Sequence, residues 1–396
     1  MFPNATALKF FEKMFSYTEQ TVFAGDIAAA LSAALRMVSY LQAYNYIDIC
    51  KPLQVTDLSH LSLAGERLAD NGTELVRRNA ASLVALSLEG AGRAACVDMI
   101  QTSDGALVTY PRLRKLNITL DHGTCGSTKP RTSPALGVPF PVLEQLSVIG
   151  AYPFTNDILL RGNNVTLNSL ELYIDGRSLR AIDERRVLDL SRYPRLERLL
   201  IRCGTVIHFA RDNNPMGLMG FARITMPVGA QEANAEEPGL PSNRFLIDSI
   251  PLSSASSQIR VLHVCGIPLT VLEIVQVLQH LPNIIRLECG LMHENPGSKA
   301  LPSSKEISAF YDSHYPLGIH LRHWGIRSRQ GLTPKQVAER IPAVAILVPS
   351  LKSINVSLFL GRNFSRFFKE AIRWWNYKLH YDRLSSLELD YQRPAI

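Results

Sequence analysis

One nine-residue string recurs five times in this chain: an apolar residue, Pro, any residue, Leu or Ile, two further residues, Leu or Ile, one more, and an apolar residue. It reads YPRLRKLNI (Tyr110–Ile118), FPVLEQLSV (Phe140–Val148), YPRLERLLI (Tyr193–Ile201), LPNIIRLEC (Leu281–Cys289) and VPSLKSINV (Val348–Val356). Residue frequencies give about 0.2 such strings by chance, so the recurrence reflects a structural unit. Proline lacks a backbone N–H and disfavours helix in the residue before it, so each string is expected to end a helix and open a short strand. Alternate residues of that strand then point inward.

The shorter core of the string, apolar-x-x-apolar-x-apolar, extends the pattern. It is found at Leu58-Leu61-Leu63, Leu83-Leu86-Leu88, Leu113-Leu116-Ile118, Leu143-Leu146-Val148, Leu167-Leu170-Leu172 and Leu196-Leu199-Ile201. It continues at Phe221-Ile224-Met226, Ile259-Leu262-Val264, Ile284-Leu287-Cys289, Leu321-Trp324-Ile326, Leu351-Ile354-Val356 and Leu384-Leu387-Leu389, at separations of 24 to 38 residues. If such strands stack, the residue between the last two apolar positions must face solvent. Those residues are Ser62, Ser87, Asn117, Ser147, Glu171, Leu200, Thr225, His263, Glu288, Gly325, Asn355 and Glu388. All but Leu200 and Gly325 are polar or charged, as a one-sided sheet requires. Asp183 to Leu190 and Leu269 to Leu281 carry helix-compatible apolar spacing, so the unit is strand, loop, helix, Pro and next strand.

On these strings the chain resembles leucine-rich-repeat proteins of the ribonuclease-inhibitor-like kind, especially the irregular repeats of F-box proteins. The resemblance implies an α/β solenoid, with a curved parallel sheet on the concave side and helices on the convex side. The family's Asn or Cys after the third strand position is largely replaced, by Ala91, Asp121, Ala151, Asp175 and Gly204, which implies uneven curvature. Residues 1–57 read as a degenerate repeat (Phe2 to Phe10) followed by a helix-like stretch, Ile27 to Leu41; residues 58–396 read as the solenoid. Insertions near 123–139, 227–257 and 290–317 read as surface loops. The chain begins in mid-repeat without an F-box, so it reads as a fragment of a longer product.

Composition and motif searches narrow the function. Hydrophobic residues make up 46% and charged residues 19%, which excludes a disordered chain. The six cysteines form no CxxC pair, which argues against zinc-ribbon and thioredoxin-type chemistry and for buried thiols. Lys9, Glu12 and Lys13 interrupt any signal-peptide core, and Arg36 breaks the next apolar run, so the expected location is cytoplasmic or nuclear, away from a membrane. GAGRAA (Gly90–Ala95) loosely matches a dinucleotide fingerprint, but the first acid after the next strand, Asp121, lies too far along and a repeat turn explains the glycines. His320 and His323 lack a third metal ligand in any known spacing. No catalytic, cofactor or metal site is expected, and the chain reads as a non-enzyme.

The residues expected to bind a partner form a basic stripe: Arg198, Arg202, Arg223, Arg260, His263, Arg286 and Arg322, with His323 alongside, at non-core positions of consecutive strands. Arginine forks match carboxylate and phosphate oxygens, so the partner expected is a protein with an acidic surface. Glu171, Glu197 and Glu288 lie in the same lattice and are expected to neutralise part of the stripe. Nucleic acid or another polyanion is the alternative, although a net charge of +7 does not demand it. The family resemblance adds a ubiquitin-ligase adaptor as partner, conditional on an F-box upstream of Met1. Asn363 to Leu379 reads as an amphipathic helix that buries Phe364, Phe367, Phe368, Ala371, Ile372, Trp375 and Leu379.

Overall fold

The computed structural model describes residues 6–10, 38–44, 55–64, 71–102, 104–120, 137–149, 165–175, 190–204, 258–291, 305, 309, 312–313, 316–326, 332–356, 364–379 and 388–390. It divides into two compact units, one of Met1–Tyr173 with Arg192–Leu196 and one of Ile174–Ser191 with Glu197–Ile396.

The first unit contains β1 (Ala7–Phe10), β2 (Tyr40–Tyr44), β3 (His60–Ala64), α1 (Asn71–Arg78), β4 (Ala85–Ala91), α2 (Arg93–Ile100), β5 (Lys115–Leu120), β6 (Gln145–Ile149) and β7 (Ser169–Asp175), the last belonging to it up to Tyr173. Each strand pairs in parallel with the one before it. Leu41, Leu61, Leu86, Leu116, Leu146 and Leu170 stand in one register row, each 2% exposed or less. Burying one such side chain contributes about 1.5–3 kcal/mol, so a stack of identical inward leucines holds successive strands in step.

The proline strings have a more local cause than helix termination. In all five, the anchor before the proline is fully buried (Tyr110, Phe140, Tyr193, Leu281, Val348), and its carbonyl accepts a hydrogen bond from the Leu or Ile three residues on. The distances run from 3.0 Å (Leu196 to Tyr193) to 3.4 Å (Leu143 to Phe140, Leu351 to Val348). Proline therefore occupies the second position of a β-turn, where its fixed φ is already correct. Of the five anchors, only Leu281 and Val348 closely follow an α-helix among the described residues. Tyr110 gains a further tie, its hydroxyl donating to the Met99 carbonyl at 2.7 Å.

Where a strand entry lacks the proline string, Asn79 takes over. It is 1% exposed; its Nδ2 donates to the carbonyls of Val55 (3.1 Å) and Leu75 (2.9 Å), and its Oδ1 accepts from the Leu58 amide (2.9 Å). One side chain thus satisfies three buried backbone groups, joining the end of α1 to the approach to β3.

The second unit contains β8 (Arg198–Gly204), β9 (Val261–Leu269), α3 (Val271–His280), β10 (Arg286–Leu291), β11 (His323–Ile326), α4 (Pro334–Ala345), β12 (Ser353–Val356), α5 (Phe364–Leu379) and β13 (Glu388–Asp390). These strands also pair in parallel in chain order. Helices lie between consecutive strands, so both units are of the α/β class. The helix expected over Leu269 to Leu281 is α3, opened by a capping box in which Thr270 accepts from the Glu273 amide and Glu273 accepts from the Thr270 amide. Thr333 and Gln336 repeat that box at α4, with Pro334 at the first position. Helix α4 packs against both α3 and α5. Phe364, Phe368 and Ala371 of α5 are buried, whereas Trp374 is 46% exposed.

Several expectations change. Tyr40 and Leu41, read as the end of a helix, belong to strand β2; Val38, Leu41 and Ala43 form its buried apolar string. Strand β8 pairs directly with β9, so no strand built on Phe221-Ile224-Met226 stands between them; residues 221–226 themselves lie outside the described residues. In β13, Leu389 aligns with Ile354, two residues out of the expected register. The segments 123–136, 227–257 and 292–304 lie outside the described residues.

Candidate functional site

The exposed face of the second unit's strands follows directly from the ladder. Before each strand, one carbonyl accepts from two consecutive amides of the next: Glu197 from Arg260 and Val261, Arg260 from Ile285 and Arg286, Ile285 from Arg322 and His323, Arg322 from Lys352 and Ser353. These bonds set an entry row of Glu197, Arg260, Ile285, Arg322 and Lys352. The first residue of each strand makes a second row, Arg198, Val261, Arg286, His323, Ser353 and Glu388. A third row, two residues on, holds Leu200, His263, Glu288, Gly325, Asn355 and Asp390.

The basic stripe therefore resolves into rows instead of one column. Arg198 and Arg286 flank Val261; Arg260 and Arg322 flank Ile285; His263 stands in the third row; and Arg202 aligns with Cys265 beyond it. Arg223 lies outside the described residues. The sequence pattern treated every non-core position as equivalent, whereas residues along a strand are about 3.3 Å apart, so positions one, two or four residues apart fall in different rows.

The arginines also differ in their partners. Arg286 donates from Nε (3.1 Å) and Nη2 (2.5 Å) to Glu288 Oε1. The Glu288 side chain is only 4% exposed, and His263 Nε2 approaches the same oxygen at 3.5 Å. Glu288 can lie flat across the sheet because its neighbour on β11 is Gly325: a Cβ there would stand 2.6 Å from Glu288 Cγ. The leucine expected by the repeat pattern to break the polar row, Leu200, is 3% exposed.

Arg198, Arg260, Arg322 and Lys352 are exposed, and none makes a side-chain hydrogen bond or ion pair among the described residues. Beside them opens a cleft of about 470 Å³ lined by Glu197, Gln258, Arg260, Asn283, Ile285 and His320. Of these, only Arg260 was among the expected partner-binding residues. The others sit at the entry row or in the turn before it, a place legible only once the register is known. His323 Nδ1 lies 2.8 Å from Ser353 Oγ on the next strand.

The corresponding rows of the first unit are less charged: Gln42, Ser62, Ser87, Asn117, Ser147 and Glu171 align across β2 to β7. GAGRAA there joins β4 to α2 through Gly90, in the left-handed region at φ 75°, and Gly92, the uncapped residue before the helix. Gly90 lies beside a register shift between β4 and β5, the local reason for a glycine at that point. Burial pushes the Cys96 thiol, on α2, up to about 12.

Among the described residues, no three His, Cys, Asp or Glu side chains are grouped to hold a metal ion, and no helix is long and apolar enough to cross a membrane. The chain matches no protein-family model and no curated protein.

Proposed function

We propose that the chain is a leucine-rich-repeat solenoid and acts as a non-enzymatic scaffold, binding an acidic protein surface through the exposed strand face of its second unit. The observation that supports this reading is the set of exposed cations, Arg198, Arg260, Arg322 and Lys352, without partners among the described residues and on backbone tied into the strand ladder. The ladder leaves no backbone to be ordered when a carboxylate arrives, so only the side chains themselves are immobilised, and guanidinium groups bind it through two parallel hydrogen bonds. Glu197 and the buried Glu288 interrupt the positive field, which disfavours a uniformly charged polyanion such as RNA. A narrower role as a ubiquitin-ligase substrate receptor rests on the family resemblance and requires an F-box in the full gene product; recovery of that product without a ligase adaptor would remove it.

Fluorescence anisotropy with fluorescein-labelled hexaglutamate tests the binding reading. Arg198→Gln with Arg322→Gln is expected to weaken binding at least tenfold, and raising the salt from 50 to 200 mM should weaken the wild type as well. Unchanged affinity in the double variant, or preference for an RNA oligonucleotide over hexaglutamate, would overturn the proposal.

A further inference from the structure

The cleft at the strand entries has an arrangement that charge alone does not explain. Glu197 and Arg260 are direct neighbours on adjacent strands, with the Arg260 amide donating to the Glu197 carbonyl at 2.8 Å. Opposite charges so placed, with backbones about 4.8 Å apart, are within reach of a cross-strand pair. Here no ion pair within 4.0 Å joins them, and both line the same cleft. The residues lining it are thus a cation and an anion more than 4.0 Å apart, with Gln258, Asn283 and His320 beside them.

We propose that this cleft recognises a single acidic residue within a peptide: the Asp or Glu side-chain carboxylate on Arg260, and a main-chain N–H of the same segment on Glu197. This deepens the scaffold reading and rests on it. A monoanionic carboxylate fits better than phosphate, because Glu197 repels a dianion more strongly and Arg260 is, among the described residues, the only permanently charged cation lining the cleft. Carboxamides suit the remaining peptide groups, since each offers both donor and acceptor. The cleft is open to solvent, and its volume of about 470 Å³ is large enough for one residue and its flanking peptide bonds.

The test uses the full chain and three probes: the peptide Gly-Gly-Glu-Gly-Gly, its Gln analogue, and a version with an N-methylated Glu, each titrated by NMR or calorimetry. The Glu peptide should bind at least tenfold more tightly than the Gln peptide, and Arg260→Gln should abolish that difference. N-methylation should weaken binding to the wild type severalfold but not to Glu197→Ala, which has no side-chain acceptor, the signature of a lost N–H···carboxylate contact. All these side chains are exposed except the half-buried Ile285, which is left intact, so circular dichroism should report native folding in each variant. If hexaglutamate binds but the Glu peptide is indifferent to Arg260→Gln, the cleft assignment fails while the scaffold reading stands. If hexaglutamate does not bind, both fail. Inorganic phosphate displacing the Glu peptide at equal concentration would refute the carboxylate specificity.

Discussion

Gly325→Ala should destabilise the protein for a reason that a second substitution removes. An added Cβ would stand 2.6 Å from Glu288 Cγ and 3.3 Å from Cδ, about 1 Å inside the usual carbon contact distance for the first. Overpacking of this kind costs about 1–3 kcal/mol. The displaced carboxylate would also leave Arg286, but that arginine side chain is 52% exposed and water can replace the lost contact, so little is added. About 2 kcal/mol is therefore expected for Gly325→Ala alone. In a Glu288→Ala background the obstruction is gone, and Ala should be favoured over Gly in a strand by about 0.5–1 kcal/mol. The double-mutant cycle, measured by urea unfolding of all four proteins, should give a coupling of about 2–3 kcal/mol. Equal destabilisation by Gly325→Ala in both backgrounds would refute the packing of Glu288 across the glycine.

Two further outcomes follow from the first unit. Asn79→Ala leaves the Leu58 amide and the Val55 and Leu75 carbonyls without the side chain that now satisfies them, and should cost about 2–4 kcal/mol; a loss below about 1 kcal/mol in urea unfolding would contradict that role. Burial raises the Cys96 thiol from 9.0 to about 12 and also raises the Tyr110 phenol above its usual 10.0. The unfolded chain therefore releases these protons at lower pH than the folded one, so their contribution to stability is intact below about pH 9 and falls as pH rises toward 12. Cys96→Ala should flatten part of that alkaline decline in a pH series of unfolding curves, and an unchanged slope would contradict it.

Most strand positions were legible because buried leucines recur at a spacing that few other arrangements demand. Leu86, Leu116, Leu146, Leu199, Leu262 and Leu287 all align where the apolar string places them. Strand β2 was obscured because its third inward position is Ala43 and its start adjoins an alanine-rich stretch with helical spacing. The string at Phe221 adds no strand between β8 and β9, which pair directly, and an apolar-rich chain supplies many chance matches to so short a pattern. The site was less legible than the fold. Residue type marked Arg198, Arg260, Arg286 and Arg322 as cations, but only the three-dimensional arrangement distinguishes Arg286, held by Glu288, from the others. Likewise, Gln258, Asn283 and His320 reach the cleft through turns whose alignment depends on the ladder.

Direct pairing of β8 with β9 underlies the order of the basic rows, and an engineered cross-link tests it most directly. Arg198→Cys with Val261→Cys joins aligned, solvent-facing positions on adjacent strands, about 4.8 Å apart and within disulfide range. Arg198→Cys with Arg286→Cys spans two strand spacings, about 9.6 Å, and lies outside that range. After mild oxidation, non-reducing peptide mapping should find the first cross-link and not the second. Failure of the first pair to join in a natively folded protein would mean that another strand intervenes, and the rows described here would not exist.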